Sequence, residues 1–293
     1  MLWPGRPRSS DTVERHFVAP ATLPVSLDEA LFERHLQTLE EAARRDGGVE
    51  AYLDSLSAKQ RLFAAALAPG ALARFDLEAA EVLLETVFSA RRKLYPLLQG
   101  IGERLPQVLE DLLHGPATLE ARMTAFVGAL PYPAASDPEA RRTAAKLRRA
   151  AWDFAAECLH FRDPARYPLL ARWVWDAETM SGALREFVAG AAGDARLPLD
   201  NRPETIEGAR AWLAERIERR GVYRDVALRV DLVMAAGYSH YFRAMTGGTL
   251  GGDFTRGIGP GEEIKKLLGI DPARRSGKSK VVKATEEDKH ANS

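Results

Sequence analysis

The residues of this chain that could do chemistry gather in one stretch, Trp152–Asp176, WDFAAECLHFRDPARYPLLARWVWD. It holds Trp152, Phe154, Phe161, Tyr167, Trp173 and Trp175, together with Cys158, the single cysteine of the chain. Glu157 and His160 stand three apart, so a helix places a carboxylate and an imidazole on one face. A dinuclear metal centre in a helical bundle needs a second such pair and two further helix glutamates. The other Glu-x-x-His, Glu287 to His290, falls in a polar tail. No metal and no cofactor is therefore expected, Glu157 and His160 being the metal candidates. The plainer reading has His160 donating to a carbonyl near its helix end. Cys158 would be a nucleophile only with a stabilised thiolate. His160, two residues on, points elsewhere, and core packing is expected.

A second cluster, Tyr238, Ser239, His240, Tyr241 and Phe242, follows Gly237. His240 and Tyr241 suit acid–base work if they line a pocket. Asp231, nine residues earlier, lies on an opposed face and cannot orient His240. No Ser/His/Asp set or carboxylate pair is visible, so an enzyme or metal protein using Glu157, His160 or His240 is the third reading. Two nucleotide motifs fail on context. Gly277-Lys278-Ser279 ends like a P-loop, but Pro272 occupies the required glycine position and no strand precedes it. Gly257-x-Gly259 follows a helix and lacks a βαβ setting.

Leu98-Gln-Gly100-Ile-Gly102 resembles the turn of helix-hairpin-helix DNA-binding domains, in which a Gly-hydrophobic-Gly hairpin offers backbone amides to a phosphate. The resemblance covers about twenty residues and departs at Pro106, where the second helix usually packs a small residue. It implies phosphate contacts at Gly100 and Gly102. Arg91, Arg92 and Lys93, and above all Arg141, Arg148 and Arg149, could supply further ones. Glu81, Glu85, Glu103 and Glu110 lie nearby in sequence and offset that charge. A helical nucleic-acid-binding protein is the alternative reading.

The elements that must position these residues read as helices throughout. The 293 residues carry 46% hydrophobic and 28% charged side chains, with 41 cations balancing 41 anions. Zero net charge steers the whole molecule toward neither nucleic acid nor an anionic membrane. One cysteine fits a reducing compartment, and no uncharged apolar stretch reaches membrane-spanning length. A cytoplasmic protein is expected. Residues 1–25, with four prolines, read as an extended lead-in.

Ser26-Leu-Asp-Glu29 reads as a capping box opening a helix to Arg45, with Leu27, Leu31, Leu36 and Leu39 inward. Short helices over 49–56 and 57–68 follow. Asp76 caps a long helix through 77–98 that Pro96 kinks or ends. Helices at 106–114 and 118–129 lead to Leu130–Asp137, whose prolines predict a boundary between two helical halves, 26–130 and 137–246. Asp137-Pro138 opens a helix with Leu147, Ala151, Phe154, Cys158 and Phe161 on one stripe. Pro168 restarts a helix through Met180, in which Trp173 and Trp175 cannot both face the core, so one is expected at a groove edge or partner surface. Helices near 181–191, 203–220 and 223–245 complete an all-α, multi-helix bundle-like fold.

From Gly247 the character changes. Seven glycines in the fifteen residues 247–261 surround Leu250, Phe254 and Ile258, spaced by four like anchors on a strap. A short helix over 262–268 with Leu267 and a charged tail, 271–293, expected to be disordered, follow. A non-catalytic adaptor is the first expectation. It would dock on another protein through Trp173, Trp175, Leu250, Phe254, Ile258 and Leu267.

Overall fold

The computed structural model describes residues 18–134, 136–191, 196–247, 259–271 and 280–282. Regular structure in them is helical, with two isolated β-bridges and no strand, as the hydrophobic periodicity predicts. No helix among the described residues is long and apolar enough to cross a membrane.

The first helix, α1 (Glu29–Ala43), starts two residues later than a Ser26 cap would place it. Asp28 is the cap, its carboxylate accepting from the N–H groups of Ala30 at 2.7 Å and Leu31 at 3.1 Å. The preceding backbone is committed elsewhere. Leu27 bridges Val188, and Ala189 N–H donates to the Ser26 carbonyl. The inward stripe is Phe32, His35, Leu39 and Ala43, while Leu31 and Leu36 are half-buried. The two short helices expected next are one, α2 (Val49–Ala66), followed by a single turn, α3 (Pro69–Leu72).

The long helix expected from Asp76 is also corrected. α4 (Leu77–Glu85) stops because the Thr86 carbonyl accepts from the buried Lys59 ammonium at 2.9 Å. Residues 86–94 run as successive turns, and α5 (Tyr95–Ile101) begins anew with Pro96 in its first turn, where the missing N–H costs nothing. α6 (Leu105–His114) and α7 (Leu119–Ala129) follow as read, the latter capped by Thr118. Asp137 caps α8 (Pro138–Arg162), accepting from Glu139 N–H at 2.9 Å and Ala140 N–H at 2.8 Å.

No helix follows Pro168. Residues 168–182 run as extended chain and turns along α8, held by Ala183 N–H to the Trp173 carbonyl at 2.8 Å and Leu184 N–H to that of Val174 at 3.0 Å. Gly182 makes this close approach possible: its φ is +130°, and a Cβ there would meet the Val174 carbonyl oxygen at 2.7 Å. Of the helix expected over 181–191, one 3₁₀ segment, Ala183–Phe187, is present. α9 (Pro203–Glu218) and α10 (Val226–Gly247) match their expected extents.

α11 (Pro260–Leu267) is docked on α10 and α1, burying Ile264, Leu267 and Leu268 in the core, so it is not a free docking element. Beyond it Asp271 pairs with Arg91, and Val282 N–H donates to the Arg91 carbonyl. The apolar core runs through both halves: Phe126 of α7 meets Phe154 of α8 at 6.1 Å, and Phe63 of α2 meets Phe161 at 5.7 Å. The lead-in touches α9, where Ala21 N–H donates to the Glu204 carbonyl at 2.9 Å.

Candidate ligand groove along the long helix

α8 has two chemically different faces. Its inner face places Asp153, Glu157 and His160 at the i, i+4 and i+7 positions of an otherwise apolar stripe, all buried. Glu157 accepts from Lys59 Nζ at 2.6 Å. The same ammonium donates to the carbonyls of Thr86 at 2.9 Å and Leu268 at 2.7 Å, so its three protons are matched by three acceptors. Burial pushes the Glu157 carboxyl up to about 7 against the pull of Lys59, and burial likewise lowers the lysine.

His160 turns to other partners. Its Nδ1 donates to the Tyr167 carbonyl at 2.8 Å, the carbonyl bond read from the sequence, and its Nε2 faces Asp231 Oδ2 of α10 at 2.8 Å. Glu157 and His160 thus engage separate partners, and no group of three or more His, Cys, Asp or Glu side chains placed for a metal occurs among the described residues. Cys158 is fully buried, and burial raises its thiol well above the usual range, which suits a packing role.

Asp153 differs from Glu157 in forming no ion pair among the described residues, the Arg172 guanidinium acting on it only from a distance. Its carboxylate accepts from the Arg172 backbone N–H at 2.9 Å and from the Ser89 hydroxyl. Burial raises its carboxyl above the ordinary range. The Arg172 side chain is committed to Asp176 instead.

The opposite side of α8 exposes Arg141 and Arg148, while the stripe that continues back from Asp153 exposes Lys146 and Arg149; none carries an ion pair among the described residues. Arg148 lies over the Tyr132 ring at 4.2 Å. Three concavities adjoin around this half of the helix. One of about 550 Å³ joins Arg141 and Arg148 to Pro131 and Tyr132. The next, about 400 Å³, shares Arg148 and adds Arg149, Trp152 and Trp175. The third, about 620 Å³, shares Arg149 and Arg172 and reaches Lys93, Lys146, Asp153 and Trp173. Shared walls make them one groove, with cations on the rim and rings along it. Glu120 and Glu178 are its acidic rim residues.

The structure therefore unites much of the phosphate-contact set read from the sequence. Arg141, Arg148 and Arg149 share the groove, and Gly100 abuts its end, since a Cβ on Gly100 would meet Pro131 Cγ at 2.7 Å. The Gly-Ile-Gly segment itself departs from the expected turn. Gly100 is the penultimate residue of α5, and only Gly102, with φ +60°, turns the chain toward α6.

The partner-contact set fares differently. Trp173 and Trp175 are 9% and 4% exposed and both line the groove, because the turn-rich path of 168–182 lets both lie against the body. Leu267 is a core residue, and Leu250, Phe254 and Ile258 lie outside the described residues. His240 is exposed, its Nδ1 2.6 Å from Glu186 Oε2, and sits away from the groove beside the buried His35.

Lys59, Asp153, Arg172 and Tyr238 shape the site without having been singled out as site residues. A signal for two of them was present: Lys59 interrupts the Tyr52, Leu56, Phe63 stripe of α2, as Asp153 interrupts that of α8. No family model, no curated protein and no solved structure matches this chain.

Proposed function

We propose that this protein binds single-stranded nucleic acid in the groove along α8. The observation that carries the reading is the continuity of that groove, in which Arg141, Lys146, Arg148 and Arg149, without carboxylate partners among the described residues, stand beside the half-buried rings of Tyr132 and Trp152. A backbone-tracking row of cations beside aromatic faces is what binds a strand with little regard to sequence, since every base has a π-face. The neutral net charge is no obstacle, because the cations are concentrated in the first half of α8. The adaptor reading stands second, as its aromatic anchors are buried and its strap anchors lie outside the described residues.

Fluorescence anisotropy with a labelled mixed-sequence oligonucleotide tests the proposal. Binding should weaken steeply with salt. Reversing both exposed arginines, Arg148→Glu with Arg149→Glu, should reduce the slope of log K against log salt by about 1.4, two contacts at roughly 0.7 each. Binding that ignores salt, or that survives the double reversal unchanged, would overturn it.

A further inference from the structure

The innermost concavity of the groove has a chemistry that a nucleic-acid backbone does not use. Its floor holds Asp153, a buried carboxylate whose partners are a backbone N–H and a hydroxyl. One wall is a run of rings: Trp173 meets Tyr238 edge-on at 6.0 Å, and Tyr238 stacks with Phe242 at 6.3 Å. Floor and wall line the same cavity, Asp153 together with Trp173, Tyr238 and Phe242. The indole N–H of Trp173 is buried and meets no acceptor among the described residues, an exception to the rule that buried donors are satisfied. The mouth carries Lys93, Lys146 and Arg149. The other two buried carboxylates of the cavity already have cations, Glu157 with Lys59 and Asp176 with Arg172.

Aromatic faces and a buried carboxylate without an ion pair attract an organic cation, which the rings stabilise once it is stripped of water. A cationic mouth attracts the opposite charge. We propose that this cavity binds a small phosphorylated amine, its ammonium group seated between Asp153 and the Trp173–Tyr238–Phe242 wall and its phosphate at Lys146 and Arg149. At about 620 Å³ the cavity falls within the range of small-ligand sites. Asp153, buried without an ion pair among the described residues, gains one when such a ligand enters, and the ligand's two charges meet complementary groups at opposite ends. The inference is independent of the strand-binding proposal, since a protein that ignores oligonucleotides retains this cavity and its charges.

Titration calorimetry of the full-length protein with phosphocholine, choline and inorganic phosphate is the experiment. Phosphocholine should bind saturably and at least about tenfold more tightly than choline or phosphate alone, a margin of about 1.4 kcal/mol. Asp153→Asn should weaken both phosphocholine and choline by about tenfold or more. Lys146 is exposed, so Lys146→Glu leaves the fold intact; it should weaken phosphocholine and leave choline unchanged. Circular dichroism of Asp153→Asn separates lost binding from lost folding, and the Lys146 variant tests the phosphate end even if that protein fails to fold. Absence of phosphocholine binding at about 10 mM, weaker than any affinity the two charge contacts imply, overturns the proposal. So does equal binding of phosphate alone, or binding of mononucleotides without binding of any amine.

Discussion

Replacing Lys59 by methionine removes a cation that α8, the 86–94 turns and the end of α11 all depend on. The side chain is buried, and its ammonium is 2.6 Å from Glu157 Oε2, 2.9 Å from the Thr86 carbonyl and 2.7 Å from that of Leu268. Methionine has a similar reach and leaves little cavity, so the cost is electrostatic. Removing one partner of a buried pair costs about 3–5 kcal/mol, because the other charge is left uncompensated. With unfolding entropy near 2.1 cal/mol/K per residue over this chain, that loss lowers Tm by about 5–8 °C.

Glu157 has a partial escape in taking up a proton. Its carboxyl lies near 7 with Lys59 present and rises further without it. The variant's penalty should therefore be larger at pH 8 than at pH 6, by about 1.4 kcal/mol for each pH unit above the wild-type value over which only the variant stays protonated in the folded state. Urea unfolding followed by circular dichroism at both pH values measures this. A second substitution, Glu157→Met in the Lys59→Met background, should recover at least about 2 kcal/mol by removing the stranded charge, while the orphaned carbonyls keep the recovery incomplete. A single-variant loss below about 1 kcal/mol, or a double variant no more stable than the single, refutes the reasoning.

Two further perturbations probe the same packing. Gly269 has φ +68°, and a Cβ there would lie 1.5 Å from the Thr86 carbonyl oxygen, so Gly269→Ala should destabilise by more than about 1 kcal/mol and raise hydrogen exchange across 260–271. His35 is fully buried, and burial lowers its pKa from 6.5 to about 4, so the unfolded chain binds a proton over that window and the folded protein does not. Stability present above pH 6.5 should be lost as pH falls toward 4, by about 3 kcal/mol in all, and His35→Leu should flatten that limb of a pH series of urea melts.

The sequence made the helices with local signals legible. Asp137-Pro138, Thr118 and Gly115-Pro116 each fix a terminus through atoms within a few residues, and α6 to α8 lie where those signals place them. The 86–94 turns and the 168–182 segment were not legible as irregular, because what bends them is remote. Lys59, 27 residues from Thr86, takes a carbonyl that a continued helix would use, and the carbonyls of Trp173 and Val174 are claimed by Ala183 and Leu184. Counting helical faces for Trp173 and Trp175 failed for the same reason: the segment is not a helix. The cations at 141–149 were visible, but their meeting with Trp152, Trp175 and the Pro131 loop depends on packing between elements with no shared local pattern.

The three acceptors of Lys59 are separated along the chain at residues 86, 157 and 268. During synthesis they emerge in that order, so the lysine meets its last acceptor only when nearly all the described chain has been made. Until then its third proton has no protein partner in the interior, and water must supply one. Closure of the dry core around α2 and α8 is thereby tied to arrival of the α11 segment, and a chain cut before Leu268 leaves one proton of this ammonium to water.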